Sequence, residues 1–215
     1  MDNTKTTTNE LIQVIMNDAQ LQEKIIINLI KMFINRNIID ITHESLYVSE
    51  ILNKINEYGE SVINLDNNER ERLGTDKIHI KFINRKITTI RRVVDIENFM
   101  NKSEYKIVIV SNVASKAIKQ FLEYSNTELF YDYELHINLI DYVLIPKHIK
   151  LNDIEKQQFI EAYNFQENSA KRMFVDDAVS KYYKFNIGDI IRIERPSINS
   201  GWAIDYRVVV ANLSS

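Results

Sequence analysis

The sequence lacks cysteine altogether, and proline and glycine are scarce, at two and four of 215 residues. Without cysteine the chain has no disulfide bond, no thiolate metal site and no cysteine nucleophile, and it suits a reducing compartment. The four histidines are scattered and lack the close spacing typical of zinc ligands. We therefore expect no metal and no cofactor.

The chain also has little net charge and no long apolar run. Its formal net charge of −3 excludes a bulk polyanion binder but leaves room for a local basic patch. The most apolar stretch, residues 25–30, is far shorter than the roughly 18 to 20 residues of a membrane span. The N-terminus has no apolar run after a basic start, so we expect no signal peptide. A hydrophobic content of 45% is typical of a globular protein of one large or two small domains.

Residues 1–140 alternate between helical and extended patterns. Helical spacing of apolar residues begins at Asn9 and is clearest at Leu29, Met32 and Phe33. Further along, the patterns predict strands and helices in turn, namely a helix over 42–55, a strand over 78–83, a helix over 88–100, a strand over 105–110, a helix over 115–124 and extended chain over 129–140. This alternation predicts an N-terminal α/β domain, a small sheet flanked by helices.

Pro146 marks the boundary to a second, smaller region, because proline disfavours helix at the residue before it. Asn152 followed by Glu155 has the spacing of a capping box and predicts a helix. A second helix is expected over 176–183, and two strands over 189–194 and 203–210. The prediction is therefore α+β overall, with an α/β domain over 1–140 and a small α+β domain over 141–215.

Residues 145–210 carry a series of motifs at fixed spacing. They comprise Ile145-Pro146-Lys147-His148, Asp177-Ala178-Val179, Gly188-Asp189-Ile190-Ile191 and the set Arg195, Ser197, Gly201, Tyr206 and Arg207. These motifs resemble the C-terminal assembly domain of the fifth-largest subunit shared by eukaryotic nuclear RNA polymerases, which archaeal polymerases have in a shorter version. The chain departs from that pattern at Ser169, Ala170 and Ala178, where local stiffening is lost. The length and element order of residues 1–140 resemble the longer, eukaryotic-type version with an N-terminal jaw domain.

The resemblance implies a non-catalytic subunit of a multisubunit DNA-dependent RNA polymerase. The C-terminal domain would dock on the largest subunit, close to the small omega-like subunit, and the jaw would lie near downstream duplex DNA. A cellular protein of this kind is expected in the nucleus. The excess of isoleucine and asparagine indicates an AT-rich genome and also suits a viral version, which would work in host cytoplasm and travel in virions.

A basic run is the best candidate for contact with DNA. It comprises Lys77, His79, Lys81, Arg85, Lys86, Arg91 and Arg92, and Lys116 with Lys119 forms a second group. Of these, the predicted DNA-proximal residues are Arg85, Lys86, Arg91, Arg92, Lys116 and Lys119. Contacts of this kind neutralise backbone phosphates without reading the base sequence. The alternative is an ordinary solvated face.

The predicted docking and structural signature has ten residues, which are Pro146, His148, Asp177, Gly188, Arg195, Ser197, Gly201, Trp202, Tyr206 and Arg207. His148 is expected to have a packing role, and Asp177 to cap a helix. Gly201 suits a positive φ in a loop, and Trp202 an anchor for packing or for a partner. Tyr206 and Arg207 are expected to close the sheet against the 196–201 loop. No catalytic residue is predicted.

Two other functions remain open from the residues alone. Asp66, Glu69 and Glu71 invite comparison with a metal-dependent nuclease, which needs carboxylates converging on Mg²⁺. We expect instead that residues 64–76 are a charged, solvated connector. The other alternative is a stand-alone transcription regulator that mimics the polymerase subunit.

Overall fold

The computed structural model describes residues 16–55, 59–91, 93–163, 170–199 and 201–211. The helices are α1 (Asp18–Asn35), α2 (Glu44–Lys54), α3 (Asn67–Leu73), α4 (Val94–Met100), α5 (Ser115–Leu122), α6 (Asp153–Tyr163) and α7 (Ala178–Tyr183). The strands are β1 (Glu60–Asn64), β2 (Lys77–Ile83), β3 (Tyr105–Val110), β4 (Thr127–Tyr131), β5 (Lys147–Lys150), β6 (Arg172–Phe174), β7 (Ile190–Ser197) and β8 (Gly201–Val210). No helix in these ranges is long and apolar enough to cross a membrane.

The first four strands form one sheet in the order β1-β2-β3-β4. The pair β1–β2 is antiparallel, whereas β2, β3 and β4 run parallel. Every residue of β3 is buried, as expected of a central strand covered on both faces. One face packs on α1 and α2 through Leu29, Phe33 and Ile51. The other packs on α4 and α5 through Phe99 and Phe121, which confirms the predicted α/β arrangement.

The second sheet has the order β5-β7-β8-β6 and is covered by one helix on each face. Phe159 of α6 packs with Ile190 and Val208 on one face. Val179 of α7 packs with Ile191 on the other. Because side chains alternate along a strand, even-numbered positions of β7 and β8 face α6 and odd-numbered positions face α7.

Helix α7 also contacts the first half of the chain. Tyr182 is 6% exposed and belongs to the core under the first sheet. Burial raises the pKa of Tyr182 to about 12, so its hydroxyl stays protonated, donates to Asn138 over 2.7 Å and accepts from Asn35 over 2.9 Å. The halves therefore share a buried interface with both apolar and polar contacts. The division into domains at 1–140 and 141–215 stays a prediction.

Local sequence signals account for the helix ends. Asn17 caps α1 and exchanges hydrogen bonds with Gln20, and Asn152 with Glu155 forms the predicted capping box before α6. Asp177 caps α7 by accepting from the amide of Val179, as expected. Each cap satisfies amides that the first helical turn leaves without partners.

Three segments differ from the prediction. Residues 64–76 are not only a connector, because they contain α3, and Glu69 is fully buried. The helix predicted over 88–100 begins at Val94, since the side chain of Gln120 accepts from Thr89 and from the amide of Ile90 and holds that segment outside the helix. Beyond Tyr131 the expected extended chain gives way to 3₁₀ turns at Asp132–Leu135 and Leu139–Asp141.

Candidate functional site

Basic side chains gather at the carboxyl edge of the first sheet. Arg85 and Lys86 follow the end of β2, and Lys116 and Lys119 lie on α5, which follows β3. A bridge between Ile87 and Val113 joins the two loops. We call Arg85, Lys86, Arg91, Lys116 and Lys119 the basic edge.

The members of the basic edge are exposed, but they are not equally available. Arg85 binds Asp95 at 3.0 and 3.1 Å, and Arg91 lies 3.7 Å from Glu123. Lys86, Lys116 and Lys119 make no ion pair within the described ranges of the chain. These lysines are therefore the members best placed to meet phosphate. Arg92, the sixth predicted residue, lies outside the described residues.

The rest of the basic run does not join this edge. Lys81 is 1% exposed, and its ammonium lies 2.7 Å from Glu60 and 3.6 Å from Asp95. His79 is also buried, and burial lowers its pKa. Lys77 starts β2 and so lies at the opposite end of the strand. Lys77, His79 and Lys81 therefore do not extend the basic edge, because His79 and Lys81 are buried and Lys77 lies at the far end of β2.

Half of the C-terminal signature lines one pocket on the α7 side of the second sheet. Pro146, His148, Asp177, Arg195 and Arg207 surround a volume of about 220 Å³. Its other lining residues are Ile145, Met173, Val179, Ile193 and Asp205. We call it the signature pocket. These residues come from four separate segments of the chain, and strand pairing in the second sheet brings them together.

The charges in the signature pocket are unevenly paired. Burial alone would raise the pKa of Asp205, but the ammonium of Lys171, 2.7 Å away, lowers it. The lowering effect is the larger, so the pKa of Asp205 lies below its ordinary value. Burial lowers the pKa of His148, despite its 2.7 Å hydrogen bond to the carbonyl of Pro146. By contrast, the side chains of Arg195 and Arg207 form no ion pair or hydrogen bond with any residue that the structure describes. The Nε atom of Arg207 is buried without a partner there.

The opposite face of the same hairpin carries an apolar stripe. Along β8, Val208 is buried, and the ring of Tyr206 packs in a tilted arrangement against that of Phe159, with centroids 4.3 Å apart. Further out, Ile204 and Trp202 are 59% and 67% exposed. We call Trp202, Ile204 and the fully exposed Ile198 at the loop the hairpin stripe. It continues a core surface outward into solvent.

The hairpin stripe extends beyond the neighbouring strands. Strand β5 pairs with β7 only up to Glu194, and β6 pairs with β8 only from Val208 onward. The turn is closed by the pairing of Ser197 with Gly201, whose φ of 71° is the predicted left-handed conformation. Gly188 also has a positive φ, of 88°.

One sequence expectation for this hairpin is wrong, and two of its residues were not predicted. Tyr206 and Arg207 pair with Arg192 and Ile191, far along the strands from the 196–201 loop. Instead, Tyr206 packs on α6 and Arg207 lines the signature pocket. The prediction that they close the sheet against that loop is therefore wrong. Sequence reasoning also missed Ile204 and Asp205. The alternation of Trp202, Ile204 and Tyr206 was a visible signal that these side chains share a face.

The carboxylates considered for a nuclease form a structural network. His43, Asp66 and Glu69 are the one group of potential metal ligands within 4.8 Å of each other in the described ranges. Burial alone would raise the pKa of Glu69, but hydrogen bonds from Tyr47, His43 and two backbone amides hold it below its ordinary value. Both Glu69 oxygens are thus already occupied, and Glu71 is exposed on α3 outside the group. The arrangement fastens α3 to α2.

Comparison with known proteins gives the family. The family model described as RNA polymerase Rpb5, C-terminal domain, matches residues 137–209. A relative from Acanthamoeba polyphaga mimivirus, DNA-directed RNA polymerase subunit 5, is 30% identical over 206 residues, covering 93% of this chain and 97% of the relative. The chain belongs to the Rpb5 family of RNA polymerase subunits. Subunit rpabc1 of DNA-directed RNA polymerases I, II, and III from Dictyostelium discoideum is 31% identical over 144 residues, covering 63% of this chain and 73% of that subunit.

Membership of the Rpb5 family confirms the resemblance seen in the motifs. It also confirms that the chain is a polymerase subunit and not an enzyme by itself. The matched C-terminal region contains both the signature pocket and the hairpin stripe. The viral relative aligns along the N-terminal half as well.

Proposed function

We propose that residues 141–215 dock this Rpb5-family chain on the largest subunit of a multisubunit DNA-dependent RNA polymerase, close to the small omega-like subunit. The hairpin stripe carries the proposal, because it exposes large apolar side chains on an arm that projects past its neighbouring strands. Exposed apolar patches of this kind mark protein interfaces. The arm lies within the region that matches the family's C-terminal domain.

Trp202 is the expected anchor of that interface. Tryptophan is enriched among the few interface residues that dominate binding energy, and loss of such a side chain costs about 2 kcal/mol or more. Its neighbour Ile204 lies on the same face of β8 and adds apolar area. Both side chains are already exposed, so their replacement leaves the core under the sheet unchanged.

We propose further that residues 1–140 form part of the lower jaw near downstream duplex DNA. Support comes from the basic edge, where Lys86, Lys116 and Lys119 are exposed without ion pairs in the described ranges. Such lysines contact phosphate without reading bases.

The site of action follows from the kind of genome that encodes the chain. A cellular version belongs in the nucleus, as part of the nuclear polymerases. A viral version belongs in the host cytoplasm and in the virion, and the long match with the mimivirus subunit supports this alternative.

Affinity purification of the full-length, tagged chain tests the docking. We expect the largest polymerase subunit to be recovered in stoichiometric amount, as measured by mass spectrometry. The double variant Trp202→Ala, Ile204→Ser should recover at least about 30-fold less, the equivalent of 2 kcal/mol. The matched control is Ile187→Ser, since Ile187 is 62% exposed at the turn before β7. The proposal is refuted if the tagged wild-type chain is purified without any polymerase subunit. It is also refuted if the double variant recovers as much of the largest subunit as the wild type.

A further inference from the structure

The signature pocket holds two arginines whose side chains form no ion pair with a described carboxylate. Arg195 and Arg207 lie at odd-numbered positions of β7 and β8 and line the pocket together. The two carboxylates of the pocket are engaged elsewhere, since Asp177 caps α7 and Asp205 binds Lys171. Arg207 influences the charges of His148 and Asp205 from a distance, but its buried Nε has no partner among the described residues.

An arginine with a buried donor lacking a partner carries a desolvation cost that a bound acceptor would remove. A carboxylate fits this role, because arginine presents a planar fork that matches it in a bidentate manner. His148 is held neutral by its lowered pKa, so it adds no further positive charge. Together with Lys171, which pairs with Asp205, Arg195 and Arg207 make three positive side chains against the two carboxylates of the pocket, so one further negative group balances its charge.

The size and walls of the pocket favour a protein side chain over a polyanion. Its volume of about 220 Å³ is below the roughly 300 Å³ at which pockets for drug-sized ligands begin. Ile145, Met173 and Ile193 supply apolar walls. Asp177 and Asp205 would repel the further phosphates of a nucleic acid strand.

We propose that the signature pocket receives an aspartate or glutamate side chain from a partner polypeptide within the polymerase, and that this carboxylate pairs with Arg195 and Arg207. The inference rests on the proposed docking of residues 141–215 and adds a charged contact on the face opposite the hairpin stripe. Because β7 and β8 present one surface on each face, the partner contacts both sides of the same hairpin.

Charge reversal in the full-length chain tests this pairing. Arg195→Glu should reduce recovery of the partner subunits at least about 30-fold, since removing one member of a desolvated charge pair is worth that factor or more. Arg207→Glu should do the same. Arg172→Glu is the matched control, because Arg172 is exposed on β6, next to Met173 but on the opposite face of the sheet. Arg195 is exposed, so its reversal leaves folding intact, and thermal unfolding of each free variant verifies this.

A second measurement identifies the partner group. A photo-crosslinking amino acid at position 195 in the assembled polymerase should join a peptide that contains an acidic residue, and replacing that residue by arginine should restore assembly of Arg195→Glu. Recovery of Arg195→Glu and Arg207→Glu at the level of the wild type overturns the inference. So does normal assembly with loss of DNA binding only, which would indicate a phosphate site. If the wild type itself recovers no polymerase, the docking proposal fails instead.

Discussion

One buried arginine contributes hydrogen bonds to the interface between the two halves of the chain. Arg36 follows α1, and its side chain is 3% exposed. It donates to the carbonyls of Tyr182 at 2.7 Å and Lys181 at 3.0 Å, and to both oxygens of Glu128 at 3.0 and 2.9 Å. The first two acceptors lie in α7 and the third in β4. One guanidinium therefore joins three elements from both halves of the chain.

Replacing Arg36 with methionine keeps most of the apolar stem and removes every one of these hydrogen bonds. Loss of one partner from a buried ion pair costs about 3 to 5 kcal/mol. Glu128 retains the ion pair with Lys184 and the hydrogen bond from Tyr105, which places the expected loss near the lower limit. We therefore expect the free energy of unfolding to fall by about 3 kcal/mol and the melting temperature by about 6 to 12 °C.

Chemical and thermal unfolding of the full-length variant, followed by circular dichroism, measures the effect. The control is Arg72→Met, because Arg72 is exposed on α3 and a surface change of this kind costs at most about 0.5 kcal/mol. A double-mutant cycle with Glu128→Gln isolates the ion pair. A loss below about 1 kcal/mol for Arg36→Met, the value of an exposed pair, would refute the view that Arg36 fastens the two halves.

Two further predictions concern pH and salt. The hydrogen bond and charge of Glu69 raise the pKa of His43 above its ordinary 6.5, so the stability that protonated His43 adds is complete below pH 6.5 and is lost as pH rises through the raised pKa. The stability difference between wild type and His43→Gln should thus shrink from pH 6 to pH 8.5, and a difference independent of pH would contradict the network. In the assembled polymerase, Lys116→Glu should weaken binding to downstream duplex and lower its salt dependence by about one phosphate contact. Lys77→Glu, at the other end of β2, should leave both unchanged, and equal effects of the two variants would refute the jaw proposal.

The two surfaces of the β7–β8 hairpin differ in what each can contribute to assembly. The hairpin stripe supplies apolar area and therefore affinity, whereas a charged pocket contributes more to the choice of partner. The stripe variants and the pocket variants should consequently differ in salt dependence. Only the pocket contact is screened by added salt.

Local signals in the sequence were sufficient for much of the fold. The caps at Asn152 and Asp177 and the buried run of β3 were predicted because each depends on residues close together in the chain. The same kind of signal was present at Asp66 and Glu69, which form a capping box before α3. This capping signal did not lead to a prediction of α3, because the charged residues around it are typical of a solvated connector.

The sequence alone determined the family, the α+β class and the residues of the C-terminal signature, because motifs and periodicity are properties of residue order. Only the tertiary structure decided which basic side chains are exposed and can contact DNA or a partner. Lys81 is buried and pairs with Glu60, 21 residues away in the chain, whereas Lys86 is exposed at the sheet edge. It also divided the signature between two faces of one hairpin, since strand pairing assigns Arg195 and Arg207 to the pocket and Trp202 to the stripe. Burial and pairing depend on partners distant in sequence, and no local pattern encodes them.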